Sequence, residues 1–401
     1  MTRRLVISSL PGECRAAWLE DDALVELQIQ RDDKPSRLGD LYLGRVKAVD
    51  KPRGMAFLDI GLAQAAMLPL SEAPGRRPSE GDAIVVRLLR DAEADKGARL
   101  TARLKDPPAD LEELCAGQKP PALLQRGDDL ISRLTAERPL PDEIVVDELA
   151  LFTALKERLA EIEPDAVERL RLQREPLTLF EDEGLEEQIE RLLEPRVDLP
   201  SGGHLLIEPL RSLTAIDVNS GSHQAKGGPE ALAAAVDLEA APEIARQIRL
   251  RGLSGLIVVD FLALAARPPR QAVVAALRGA LKADREPHRV AAMSASGLVE
   301  ISRRRGRPAL HEILTEPCGI GGSGRRKDPV TLAYEALRAL GREVAAKPWR
   351  EATIDAEPAV VAALEGPAGP ALNTLSERWR RPIILTARPA PAAAPFTIVV
   401  E

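Results

Sequence analysis

Two short segments of this 401-residue chain put polar residues where strands should end. LTAIDVNSG carries Asp217 and Asn219, and GLIVVDFL carries Asp260. Residues two apart on a strand face the same side, so Asp217 and Asn219 share a face. Asp260 closes a four-residue apolar run, where an unpaired carboxylate is costly to bury. If the two strands are neighbours, two carboxylates and an amide oxygen converge. Such an all-oxygen set suits Mg²⁺ or Mn²⁺, which keep several waters and take one or two carboxylates. A metal held there lowers the pKa of a water and offsets charge on a phosphodiester. Spacing alone leaves a plainer reading open beside this one. DVNSG is turn chemistry, and Asp260 can cap the helix after its strand.

Other chemistries find less support. The chain has no Walker loop and no G-x-S-x-G, and GIGGSG has no strand before it. His204, His223, His288 and His311 lack ligand spacing. His223, six residues after Asp217, reads as a surface histidine, with a local acid–base or RNA contact as the alternative. Cys14, Cys115 and Cys318 are far apart and odd in number, which argues against a disulfide framework and fits a reducing cytoplasm.

Ten aromatic residues force the cores to be built from Leu, Ile, Val and Ala. With a net charge of −7, that scarcity speaks against nucleic-acid binding on totals alone. The charge is uneven, however. Residues 195–327 hold 19 Lys/Arg against 13 Asp/Glu, and the rest of the chain holds 36 against 49. The basic part is densest at Arg303, Arg304, Arg305 and Arg307, then at Arg325, Arg326 and Lys327. Such a run is a solvated face or, beside a carboxylate site, a phosphate contact.

The elements that must position these residues follow from periodicity. Residues 4–29 read as two or three strands. From 38 to 104, DLYLGRVKAV, GMAFLDIG, AAMLPL, DAIVVRLLR and ARLTARL read as five short strands of a small closed barrel. Residues 105–129 are a polar, Pro-bearing connection. DEIVVDE is a short buried strand, and FTALKERLAEI and LEEQIERLLEPR are amphipathic helices within 130–194. In 195–315, HLLIEPL and SLTAIDVN look like a hairpin. LAAAVDLEAAPEIARQIRLRG and PRQAVVAALRGALKADRE are helical, and GLIVVDFL is a buried strand. A Gly-rich stretch, GIGGSGRRK, lies at 319–327, overlapping the linking segment 316–326, and VTLAYEALRALGREV opens a small α/β part, 327–401. The class is α/β and multidomain. No apolar run reaches a membrane span, and the first residues do not form a secretory signal.

LPSGGHLLIEPLRSLTAIDVNSGS, ARQIRLRGLSGLIVVDF and SASGLVEISRRRGRPAL together resemble the ribonuclease E/G family of bacterial endoribonucleases. The resemblance decides between the two readings of the carboxylates. It implies that Asp217 and Asp260 coordinate the catalytic Mg²⁺, with Mn²⁺ as a substitute, and that Asn219 helps to position the site. It implies cleavage of single-stranded RNA by a metal-activated water, leaving a 5′-phosphate on the downstream product. The implied fold is a discontinuous RNase H-like domain (1–37 and 130–194) interrupted by an OB-fold barrel of the S1 type (38–104). A DNase I-like catalytic domain (195–315) and a small C-terminal domain (327–401) follow. In the barrel, Phe57 and Met67 stand at the family's aromatic pair and Lys96 at its phosphate-contacting lysine. Methionine lacks a stacking face, so a weaker grip is expected. Arg303, Arg304 and Arg305 are the expected phosphate contacts near the site.

Two further departures from the family matter more. The connection at 105–129 is too short for the family's 5′-monophosphate sensor, so preference for that RNA end should be weak or absent. If another pocket replaces it, Arg285 and Arg289 are the candidates. The family's C-x-x-C zinc link is reduced to Cys318, with Gly321 at the second position, and one thiolate per chain is too few for a closed tetrahedral site. Zinc is therefore not expected. A homodimer or higher oligomer stays open, no long C-terminal scaffold is expected, and the cytoplasm is the expected location. The competing function is an RNA-binding or ribosome-associated factor with weak or no nuclease activity.

Overall fold

The computed structural model describes residues 2–401 apart from 74, 76, 93–96, 105–106, 128–129, 136–138, 174–176, 211, 222–227, 318–323, 347 and 388–393. The chain divides into two compact units, one of residues 1–35 and 140–401, the other of residues 36–139 inserted between them. The first unit opens with an antiparallel meander of β1 (Arg3–Leu10), β2 (Glu13–Glu20) and β3 (Ala23–Arg31). Asp21 and Asp22, both at positive φ, make the two-residue turn between β2 and β3, a conformation whose twist matches that of the flanking strands.

The inserted unit is built on β4 (Leu41–Asp50), β5 (Met55–Asp59), β6 (Ala66–Pro69), β7 (Ala83–Arg90) and β8 (Arg99–Thr101). They close in the order β4-β5-β6-β8-β7-β4, antiparallel except for the β6–β8 pair. This is a closed five-stranded barrel of OB-like form. Its interior is filled by small and branched side chains, among them Val46, Ala56, Leu58, Leu68, Val86 and Leu100. One ring, Tyr42, joins them, with its hydroxyl donating to Asp40 at 3.0 Å. Residues 105–129, read from sequence as a plain connection, contribute β9 (Ala122–Gln125), which pairs with β4.

Chain return adds β10 (Glu143–Val146) parallel to β1 and β11 (Leu170–Leu172) parallel to β10, giving the order β11-β10-β1-β2-β3. The helix Leu185–Leu193 buries Leu185, Ile189 and Leu192, at the i, i+4, i+7 spacing that gives a helix one apolar face.

A second sheet holds the carboxylates. Its strands are β12 (Arg196–Asp198), β13 (His204–Pro209), β14 (Thr214–Asn219), β15 (Gly255–Asp260), β16 (His288–Val290) and β17 (Leu298–Arg303), in the order β12-β13-β14-β15-β17-β16. β13 and β14 form the expected hairpin, and β14 and β15 run parallel, joined through the helix Pro229–Arg251. That helix and the helix Arg267–Leu281 share one core with this sheet, in which Val236, Ala240, Ala241 and Ile244 meet Ile216, Ile257 and Val259. Alanine lets helix and sheet approach closely, which suits a chain so poor in rings. Helix Pro229–Arg251 also contacts β3, so it is packed on two sides.

β18 (Thr315–Pro317) and β19 (Arg325–Lys327) form a hairpin that brackets residues 318–323. The chain ends in a three-stranded sheet of β20 (Ala352–Ala356), β21 (Ile383–Ala387) and β22 (Phe396–Val400), ordered β21-β20-β22. Helices Pro329–Ala346, Pro358–Glu365 and Gly369–Trp379 accompany it in a shared core. Buried ion pairs tie helix Pro329–Ala346 to the N-terminal meander: Arg31 pairs with Asp328 at 3.1 Å, and Arg15 and Arg338 both pair with Glu13. Among the described residues, no helix is long and apolar enough to cross a membrane.

Candidate active site

β14 and β15 lie in a register that makes Asp217 and Asp260 direct neighbours, on strands about 4.8 Å apart. Both are exposed, whereas Ile216, Val218, Ile257 and Val259 are buried against the helices. GLIVVDFL is therefore a half-buried strand rather than a fully buried one, with Leu256 left 41% exposed. The desolvation cost that the apolar run implied for Asp260 does not arise, because its side of the sheet is open.

Asn219 lies on the same face as Asp217 and donates from Nδ2 to Asp217 Oδ2 at 2.7 Å. This bond orients Asp217 and leaves its other oxygen for a ligand. Neither aspartate has an ion pair among the described residues. Two uncompensated carboxylates and one amide oxygen fit a hard divalent cation that keeps part of its water shell. Among the described residues, no group of three His, Cys, Asp or Glu side chains is placed to hold a metal ion, so the candidate is a pair assisted by an amide.

The backbone after Asp260 is fixed from two directions. Phe261 donates to the Gly297 carbonyl at 3.4 Å, and Leu262 donates to Asp237 Oδ1 at 3.0 Å. Gly297 has φ +92°, and a Cβ there would lie 2.8 Å from the Phe261 carbonyl oxygen and 4.0 Å from Asp260 Oδ1. Only glycine fits that turn without moving the carboxylate's neighbourhood. Asp237, on helix Pro229–Arg251, is fully buried, and its Oδ2 has no hydrogen-bond partner. Burial pushes its carboxyl up to about 7, against the opposing pull of the Leu262 hydrogen bond.

Two further polar residues share the open face. Exposed Glu300 on β17 stands opposite Val258, two positions from the Asp260–Leu298 pair. Exposed Arg289 on β16 stands opposite Ser302. Glu300 is absent from the expectations drawn from sequence, although the alternation in LVEIS was a sufficient signal for its polar face.

The basic run requires a correction. Arg303 is buried and grips Asp284 with two hydrogen bonds, at 2.6 and 2.8 Å, while also donating to the Leu253 carbonyl at 2.9 Å. Burial raises the Asp284 pKa, but the Arg303 bonds and charge outweigh it and hold the carboxyl below its ordinary range. Arg303 is thus a strut of the sheet and leaves the set of RNA contacts. The reason is alternation: Ile301 and Arg303 lie on the packed side, where an arginine must find an acid. Arg304 is exposed beside Glu286 at 3.2 Å, and Arg305 is half-buried beside Ser254 and Glu312. Arg307 donates to the carbonyls of Leu27 and Arg249. Arg285 lies 5.9 Å from the Trp18 ring centre and 3.4 Å from Glu26.

On the barrel, Phe57 and Met67 are directly opposed across β5 and β6, and both are half-exposed. Phe57 points outward, away from the barrel core. Met67 in turn neighbours exposed Arg99 on β8. Arg99 was also missed from sequence, although the alternation in ARLTARL marks it as outward-facing. Lys96, His223 and Cys318 lie outside the described residues.

The chain is thus a mixed α/β protein with an OB-like barrel and a carboxylate pair on the open face of a sheet. The profile of the Ribonuclease E/G family matches residues 76–306, and the chain belongs to that family. It is 27% identical to Ribonuclease G of Escherichia coli (strain K12), over 91% of this chain and 93% of that protein. It is 28% identical to Ribonuclease G of Haemophilus influenzae, over 84% of this chain and 87% of that one. Against Ribonuclease E of Haemophilus influenzae it is 27% identical over 86% of this chain, but spans only 46% of that longer protein.

Proposed function

We propose that the protein is a Mg²⁺-dependent endoribonuclease that cleaves single-stranded RNA in RNA processing or decay. The endoribonuclease class follows from family membership. The observation that carries the metal-dependent reading is the register of Asp217 with Asp260 on an open sheet face, with Asn219 bonded to Asp217. In this reading the two carboxylates hold the metal ion. When bound, that ion supplies an activated water and offsets charge on the scissile phosphodiester, giving a 5′-phosphate product. Asn219 keeps Asp217 in its ligating orientation, and Gly297 keeps the space beside Asp260 clear. Exposed Arg304 contacts RNA phosphates, while Phe57, Met67 and Arg99 form the contact surface of the barrel, and Lys96 is assigned to RNA contact by the family resemblance alone.

The same reading extends to the domains. A three-strand meander followed by two parallel strands supports an RNase H-like assignment for the first sheet. Two helices packed on one face of the second sheet, with the carboxylates on the other, support a catalytic domain of DNase I-like kind. The protein acts in the cytoplasm and does not select for a 5′-monophosphate.

The decisive experiment incubates the purified chain with single-stranded, A/U-rich RNA and Mg²⁺, with Asp217→Ala run in parallel. Cleavage by the wild type alone is expected, with similar rates on 5′-triphosphate, 5′-monophosphate and circular substrates. Equal cleavage by Asp217→Ala removes the proposal. A second reading, an RNA binder without nuclease activity, draws on methionine occupying position 67 beside Phe57. A binder holds RNA equally well in chelator and cleaves none of it.

A further inference from the structure

Two of the three tryptophans of the chain meet in its last 75 residues. Trp349 and Trp379 stand edge to face, with ring centres 5.6 Å apart and planes at 88°. Trp349 belongs to the local core and is 8% exposed, while Trp379 is half-exposed at the end of helix Gly369–Trp379. The guanidinium of Arg381 lies 5.0 Å from the Trp349 ring centre. With Arg378 and the end of helix Pro329–Ala346, these residues line an open groove of ≈ 600 Å³. That volume is within the ~300–1,000 Å³ range of ligand sites.

The chemistry of this groove differs from that of the earlier basic run. Arg303 and Arg326 are paired with Asp284 and Glu316. Among the described residues, Arg378 and Arg381 have no ion pair and no carboxylate lines the groove. A core needs only the apolar body of Trp349. Trp379 packs against the same core yet stays half-exposed, flanked in sequence by Arg378 and Arg381, in a chain of ten rings. Indole faces and arginines together recognise stacked bases and the phosphates that join them.

We propose that this groove is a second contact site for single-stranded RNA, with Trp379 stacking a base and Arg378 and Arg381 meeting the flanking phosphates. The inference rests on the reading that the chain acts on RNA, and it places stacking where the barrel, with its methionine, is weak.

The test titrates a short fluorescein-labelled oligouridylate with the intact chain in chelator, where cleavage is blocked, and reads anisotropy. Trp379→Ala should weaken binding about 5- to 100-fold, and Trp379→Phe should retain most of the affinity. Arg378→Glu should weaken binding and flatten its salt dependence by about one phosphate contact. Circular dichroism of each variant checks the fold, and Arg378→Glu is the variant least able to disturb it, since that side chain is exposed. Equal affinity of wild type, Trp379→Ala and Arg378→Glu overturns the groove alone. Groove variants that change the sedimentation of the protein but not its RNA affinity also overturn it, because the face then joins copies of the chain. No RNA binding by wild type overturns both the groove and the function. RNA held through the groove but left intact on adding Mg²⁺ supports the groove and removes the endonuclease.

Discussion

Carboxylates placed side by side repel, and Asp217 and Asp260 face one another across two strands with no basic side chain paired to either among the described residues. That arrangement costs stability unless a cation resides there. Asp217→Asn and Asp260→Asn should therefore damage cleavage to a similar degree, and the double variant should be little worse than either, because residues acting as a unit are not additive. Asn219→Ala removes an orienting bond and should lower activity or Mg²⁺ affinity about 10- to 100-fold, read as the Mg²⁺ concentration giving half-maximal rate. Asp237 presents a different residue-scale effect. Its folded pKa, about 7, is raised above its unfolded value, so the folded state binds the proton more tightly. The stability it contributes is present at low pH and is lost as pH rises through 7, at most about 4 kcal/mol. Asp237→Asn should raise the melting temperature more at pH 8 than at pH 5. A gain of the same size at both values removes this account.

Elements decide what the residues can do. Gly297 occupies a turn that no β-branched side chain can adopt, so Gly297→Val should displace the Asp260 end of β15 and depress cleavage more than it depresses stability. Paired measurements of rate and thermal midpoint check this. Arg303 belongs to the packed side of β17, and Arg303→Met leaves Asp284 buried without its guanidinium partner, costing about 3–5 kcal/mol in denaturant unfolding. Adding Asp284→Leu should recover much of that loss, which a direct RNA-contact role would not allow. On the barrel, β5 and β6 bring Phe57 and Met67 together on the outer face. Met67→Phe should tighten RNA binding several-fold by restoring a stacking face, and Phe57→Ala should weaken it.

At the scale of the molecule, much of the architecture was legible in the sequence. Alternation announced the meander, the barrel strands and the β13–β14 hairpin, and 3.6-residue periodicity announced the helices on either side of β15. The helix Pro229–Arg251 was legible even across Pro242, because its alanine-rich face has a sheet to pack against. Asp217, Asn219 and Asp260 could be singled out because turn residues and acids interrupt apolar runs there. What periodicity does not encode is which strand stands next to which. The neighbourhood of β14 and β15 and the meeting of Trp349 with Trp379 join segments distant in sequence, and burial rather than local spacing selects them.

The charges make the same distinction most plainly. The sequence by itself determined the net charge of −7, the basic excess of residues 195–327 and the scarcity of rings. It also determined the ordered motifs that place the chain in its family. Only the tertiary structure decided which charges are available. An arginine on a packed face must pair or pay for its desolvation, so Arg303 turns to Asp284. Arg378, in a groove lined by no acid among the described residues, is left exposed and without an ion pair there. Asp260 is spared burial because helices cover only one side of its sheet. Composition counts ionic groups, but their energy depends on what surrounds each one, and that is fixed only when the chain is folded.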